Sequence, residues 1–397
     1  MSIHIKLAPC LQALKPRDPQ QNHRVATPLE LLFDLIFVVA IATAGQQLHH
    51  AFVENHLGSG LLNYLMVFFA LWWAWMNFTW FSSAYDNDDA VYRILTFVQI
   101  IGSMVIAAGI PSAFQHHDFD VIIIGYAIMR LSLVVQWLRA AYSDVPRRKT
   151  ALRYALGIFL VQIAWVLFHF SPINFTVTLF FILVVAELAV PVWAEAPAMT
   201  PWHPHHITER YALLTIIVLG ESIVGSFIAI SDALNNQLFS IELLFLMVGG
   251  LLLMFTMWWA YFDHSAVEKL HNRKRAFVWG YGHFFIFFSI AMIGASLAAA
   301  VDVATHQAHI SDVLAAYLVI IPLLIYSASL WVLHEVQHLH GLGKWLYPLS
   351  AAAVLTVPLF ASDIGYSVFA IALIYALRLI LSKSLVNDTS VAHSAEH

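Results

Sequence analysis

Two carboxylates, Glu30 and Asp34, stand one helical turn apart in the apolar run Thr27-Pro28-Leu29-Glu30-Leu31-Leu32-Phe33-Asp34-Leu35-Ile36-Phe37-Val38. Spacing of four residues puts both on one face of a helix. Acids held away from water can exchange protons, bind cations or pair with a buried cation. Glu209, Arg210 and Glu221 form a second such set, and Arg130 and Glu187 are isolated charges in other apolar runs. A charge at the centre of an apolar membrane helix costs about 2.5–3.5 kcal/mol on insertion scales, so each needs a reason.

Some of these reasons are local. Thr27-Pro28-Leu29-Glu30 reads as a capping box with Pro28 at the first helical position. Asp34 lies past the four free amides of that helix start, so capping cannot account for it. Thr208 can cap a second helix with Glu209 in its first turn, and Arg210 at that edge can snorkel to the interface. Glu221 lies 12 residues beyond Glu209, about 18 Å along a helix, among Gly220, Ser222, Gly225 and Ser226. Small residues let helices approach closely, so Glu221 is expected inside the bundle. Arg130 needs a buried acid, and the order of expectation is Glu221, then Asp34, then Glu187. A purely structural ion pair is the alternative for any one of them.

Asp86, Asp88, Asp89 and Arg93 bound a short polar loop that could attract cations or supply helix caps. His334-Glu335-Val336-Gln337-His338 matches H-E-x-x-H, a weak zinc candidate without an evident third ligand. In a chain with 21 histidines the ordinary reading is a helix-end coincidence, so no metal and no other cofactor is expected. The one cysteine, Cys10, excludes internal disulfides and cysteine metal clusters. No phosphate loop or nucleic-acid signature is present, and catalytic residues are not evident.

The elements that must hold these charges are membrane spans. The 397 residues are 60% hydrophobic and 11% charged, far from the balance of a water-soluble domain. Apolar runs near 28–48, 60–82, 91–114, 119–142, 149–170, 173–193, 208–231, 239–262, 276–300, 311–333, 345–361 and 364–382 predict an all-α polytopic membrane protein of about 12 helices. With the N-terminus inside, the outer loops hold no Lys or Arg. The inner ones hold Arg139, Arg147, Arg148, Lys149, Arg153, Lys269, Arg273, Lys274, Arg275 and Lys344. That asymmetry predicts both termini on the cytoplasmic side. Leu71-Trp72-Trp73-Ala74-Trp75-Met76-Asn77 is echoed by Met257-Trp258-Trp259-Ala260-Tyr261-Phe262-Asp263, which suggests two parallel six-helix repeats. The expected organisation is a cytoplasmic segment 1–27, a first half 28–193, a linker 194–207, a second half 208–382 and a cytoplasmic tail 383–397.

The run Pro28–Val38 resembles the bacterial low-temperature-requirement A family. The similarity continues at Asp86, Asp89, Arg93 and Ile110-Pro111, and at His206-Ile207-Thr208-Glu209-Arg210-Tyr211-Ala212-Leu213-Leu214-Thr215-Ile216-Ile217-Val218-Leu219-Gly220-Glu221. The resemblance implies a multispan protein of the bacterial inner membrane, named for a growth phenotype in the cold. Phe33-Asp34-Leu35-Ile36-Phe37 is also similar, more distantly, to the first-helix Phe-Ser-Asp motif of the lysosomal potassium channels, although the Ser is absent. Three functions stand open: a secondary or proton-coupled carrier with Asp34, Glu221 and Arg130 as its polar centre; a cation channel lined by spans one and seven; and a membrane enzyme, zinc-dependent or acting on lipid. Expected partners are the bilayer, an unidentified small molecule or ion and a second copy of the chain, with no nucleic acid.

Overall fold

The computed structural model describes residues 12–21, 24–170, 176–263, 270, 272–335, 344–361 and 363–394, without the side chains of 335 and 385–394. Among the described residues the regular structure is helical: α1 Pro28–Val53, α2 Leu57–Tyr85, α3 Ala90–His116, α4 Asp120–Ser143, α5 Arg148–Phe168, α6 Thr176–Ala194, α7 Pro204–Asn235, α8 Ile241–Phe262, α9 Arg273–Ala304, α10 Asp312–Leu330, α11 Leu346–Thr356 and α12 Ile364–Ser394. Eleven of the twelve are long and apolar enough to cross a membrane. The exception is the predicted eleventh span. There α11 and a following turn to Leu359 cover only Leu346–Leu359. Pro358 sits in that turn and withholds one backbone N–H from the helical hydrogen bonds.

The chain divides into two compact units. Unit 1 comprises residues 1–44 and 66–211, and unit 2 comprises 45–65 and 212–397.

Unit 1 is inside-out relative to a soluble bundle. On α3, Ile94, Phe97, Ile101 and Met104 are exposed at helical spacing, while Tyr92, Thr96, Gln99 and Ser103 are buried. An apolar outer stripe suits lipid and leaves the polar stripe for the interior. α3 and α4 touch backbone to backbone: a Cβ built on Gly125 would lie 2.6 Å from the Gly102 carbonyl oxygen and 2.7 Å from the Ile106 nitrogen. Only glycine fits such an approach. Ser132 Oγ donates to the Leu95 carbonyl at 2.7 Å and fixes the antiparallel register. Trp137 stacks on Tyr154 at 4.1 Å and sets the register of α4 against α5.

Unit 2 is built around α9, in which every residue from Ser289 to Val301 is buried. Its Gly, Ala and Ser residues allow neighbours on all sides. Gly294 packs against Ser222 of α7, whose hydroxyl donates to the Ile290 carbonyl at 3.1 Å. Between α7, α8 and α9 lies an apolar cavity of about 280 Å³ bordered by Phe227, Leu246, Met254 and Leu297.

Candidate functional site: two buried charge clusters

The first cluster gathers on the N-terminal turns of α1 and α7. Glu30 closes the predicted capping box: Oε2 accepts from the Thr27 amide at 2.8 Å, and the Glu30 amide donates to Thr27 Oγ1 at 3.3 Å. Its other oxygen is free for a second task. Glu30 Oε1 lies 3.0 Å from Arg210 Nη1 and 3.2 Å from His206 Nε2. Asp34, one turn deeper, is held by Arg210 through two bonds, Nη2 to Oδ1 at 2.6 Å and Nε to Oδ2 at 3.1 Å. Trp75 Nε1 donates to the same Oδ1 at 2.7 Å. Glu30, Asp34, His206 and Arg210 are all 0% exposed.

Arg210 therefore does not snorkel. The predicted cap at Thr208 is displaced, because α7 begins a turn earlier at Pro204 and Thr208 Oγ1 donates back to the carbonyls of Pro204 and His205. That early start carries Arg210 into the second turn and onto the buried face. Glu209, the neighbouring acid, is half-buried and accepts from the Ala26 amide instead.

Arg24 extends the cluster towards the acidic loop. It pairs with Asp86 at 3.3 Å and donates to the Ser82 carbonyl. Burial, and then the charge of Glu30, raises the Asp86 carboxyl above its ordinary value, with Arg24 and Arg17 opposing in part. Asp89 caps α3 by accepting from the Tyr92 amide at 2.7 Å and pairs with Arg139 at 2.6 Å. Burial alone would raise Asp89, but the Gln12 and Tyr92 amides and Arg139 outweigh it and hold the group below its usual value. Asp88, in a left-handed conformation with φ 54°, pairs with Arg93 at 2.7 Å on the surface. Each loop acid thus has an arginine, so the loop is a set of caps and ion pairs.

The second cluster is centred on Glu187 of α6. Arg130 Nη2 donates to Glu187 Oε2 at 2.5 Å, and both side chains are buried. Glu187 was the third choice for Arg130 and is the residue found. Trp73 Nε1 donates to Oε2 at 2.8 Å, Tyr126 OH to Oε1 at 2.8 Å and Trp165 Nε1 to Oε1 at 3.1 Å. Neither Glu221 nor Asp34 takes this place. Glu221 is half-buried on α7 in unit 2 and makes no ion pair or hydrogen bond among the described residues.

Two tryptophans of α2 that the sequence pattern does not single out are ligands of the acids. Trp73 serves Glu187 and Trp75 serves Asp34. The signal was present, since a buried indole N–H needs an acceptor. The echoing Trp258 and Trp259 of α8 are 49% and 46% exposed. Of the zinc candidate, His334 lies in a π-helical turn, Trp331–Glu335, with its ring 6.0 Å from His283. His338 and the Glu335 side chain lie outside the described residues. Among the described residues no group of three or more metal-ligating side chains converges.

Helices of this length and composition, with charges turned inward and apolar residues turned outward, define a polytopic helical membrane protein in contact with lipid. The profile of the bacterial low temperature requirement A protein (LtrA) family matches residues 25–381, so the chain belongs to that family. An uncharacterized protein of Rhizobium meliloti (strain 1021) is 26% identical over 271 residues, which is 64% of this chain and 64% of that relative. No solved structure matches.

Proposed function

We propose that this chain is a proton-coupled secondary carrier of the bacterial inner membrane, with both termini in the cytoplasm, and that its cargo is a small molecule or ion. The observation that supports this reading is the charge balance of the first cluster. Three buried carboxylates, Glu30, Asp34 and Asp86, face two buried guanidinium groups, Arg24 and Arg210, while Arg17 stands partly exposed 3.8 Å from Asp86. Arg17 balances the set, and without it the buried groups are one positive charge short. When Arg17 is not in place, a proton on His206 or on one of the carboxyls supplies that charge. Burying unbalanced charge is costly, so proton occupancy and the arrangement of these side chains must be linked. A cation channel lined by α1 and α7 is supported by the fact that these two helices supply the cluster. Arg24 and Arg210 would put positive charge on such a path, which favours the carrier.

The test uses purified protein in liposomes loaded with a pH-sensitive dye. A pH gradient is imposed and a panel of amino acids, monovalent cations and small organic acids is added in turn. The reading expects one class of solute to drive proton movement, and expects Glu30→Gln to abolish it. Glutamine preserves the capping box, so the helix start survives. Proton movement at the wild-type rate in that variant, or none with any solute, contradicts the proposal.

A further inference from the structure

Protein interiors hold few voids larger than a water molecule, so the cavity of about 280 Å³ in unit 2 needs a reason. Its floor is Leu246 and Met254 of α8 with Leu297 and Val301 of α9, all buried. Its mouth is flanked by Phe227, Leu234 and Leu251, whose side chains are exposed. The cavity is therefore a groove that opens through an apolar rim. Gly250 makes the room. Of the two adjacent glycines on α8, Gly249 is set by packing, because a Cβ there would lie 2.7 Å from the Phe369 Cα of α12. A Cβ on Gly250 would meet only the Leu297 methyl groups, at an ordinary 3.6 and 3.7 Å. Glycine inside a helix is less favourable than alanine, and close packing does not call for it at Gly250.

The groove is one leaflet deep. On α7 it runs from Ile223, just past the middle of the helix, to Asn235, the last residue. Those 12 residues rise about 18 Å. On α8 it runs from Leu246 in the second turn to Met254 near the middle, and on α9 it takes Leu297 and Val301 from the last two turns. All three helices place it in the half of the membrane beside the α7–α8 turn, where the hydrocarbon is about 15 Å thick. The polar groups of the lining gather at that end. Ser231 and Asn235, one turn apart, bring a hydroxyl and an amide to the end of α7. Ser226, deeper, gives its hydroxyl to its own helix at the Ser222 carbonyl, 2.9 Å away. No charged residue lines the groove.

We propose that the groove binds one acyl chain of a phospholipid from that leaflet, with the ester region against Ser231 and Asn235. Water does not fill it, because apolar cavities stay dry. An apolar cavity of about 150 Å³ holds a six-carbon ring, so on that scale this one holds roughly eleven carbons, most of one chain and too few for two. The depth of one leaflet leads to the same occupant. A helix from a second copy is about 10–12 Å across and too wide for this volume. A free fatty acid would bring a carboxylate to a rim that has no Lys or Arg. A phospholipid ester is neutral there and accepts from the hydroxyl and the amide. The site takes its ligand from the surrounding membrane and does not depend on the carrier reading.

The test places the purified full chain in phosphatidylcholine vesicles containing a phosphatidylcholine probe with a photoreactive diazirine near the end of one acyl chain. After illumination, peptide mass spectrometry locates the label. Met254 and Met292 are a matched pair, 2% and 3% exposed, and only Met254 lines the groove. The site predicts at least about fivefold more label on Met254 than on Met292, since a close-packed interior excludes the probe elsewhere. Gly250→Leu fills the groove and should bring Met254 down to the Met292 level, while the exposed Phe255 is labelled as before. A rise in Met292 labelling would mark a misfolded variant, and Gly250→Val then replaces it. Equal labelling of Met254 and Met292 in the wild-type protein overturns the proposal. So does label on Met254 that a diazirine fatty acid delivers and the phospholipid probe does not. Because no transport is measured, either outcome is separate from failure of the carrier reading.

Discussion

Replacing Glu187 with glutamine changes one oxygen to an amide and should cost several kcal/mol. The two carboxylate oxygens divide four donors evenly: Arg130 and Trp73 on Oε2, Tyr126 and Trp165 on Oε1. Whichever oxygen becomes NH₂, two donors then face a donor. A hydrogen bond to a charged group contributes about 1.5–3 kcal/mol, so losing two costs about 3–6 kcal/mol. Breaking a buried ion pair from one side gives a similar figure, about 3–5 kcal/mol. Arg130→Met removes the other partner and leaves Glu187 with three neutral donors. In the double variant the shared interaction is lost only once, so the cycle should show coupling of at least about 2 kcal/mol. Unfolding in mixed micelles, followed by tryptophan fluorescence, measures all four corners. A Glu187→Gln cost under about 1 kcal/mol, or additivity within about 0.5 kcal/mol, refutes the reasoning.

Trp75→Phe keeps the ring and removes the N–H that serves Asp34, and the same unfolding titration should show a loss of about 1.5–3 kcal/mol. Gly125→Ala puts a methyl against the α3 backbone and should destabilise by about 1–3 kcal/mol, read as a lowered melting temperature. Asp89 sits below its unfolded value, so its contribution is present above that unfolded value and is lost as pH falls through the folded one. Melting curves taken from neutral to acid pH should therefore fall less steeply in Asp89→Asn than in the wild-type protein. Asp86 has the opposite sign: raised by burial, its contribution is present at low pH and is lost as pH rises through the folded value. Asp86→Asn should flatten that rise-dependent loss in the same melts.

Much of this arrangement is written locally in the chain. The Thr27–Glu30 capping box depends on four consecutive residues, and it forms. Asp34 lies beyond the reach of a cap, so its need for a partner follows from position alone. The identity of that partner does not. Arg210 looked like an interfacial residue because Thr208 is a good cap, yet Pro204 opens the helix, as proline at a first helical position can. One turn of difference moves a guanidinium from the interface to the core. Arg130 had three acids to choose from, and the choice of Glu187 depends on how α4 and α6 pack, which no local pattern encodes. Trp73 and Trp75 look like two more aromatics in an aromatic-rich helix until each is seen with an acid at its indole nitrogen. The eleventh helix ends in a tight turn at Pro358, yet Pro111, Pro191 and Pro322 lie inside longer helices, so the proline alone does not set its length.

On the carrier reading, the cluster of Glu30, Asp34, His206 and Arg210 takes up and releases a proton. Infrared difference spectroscopy of the protein in lipid, titrated across neutral pH, tests it most directly. A pH-dependent carboxylic-acid or imidazole band is expected, and Glu30→Gln and His206→Gln should each alter it. Identical spectra in the wild-type protein and both variants across that range would mean the cluster is a permanent ion pair, and would contradict the account.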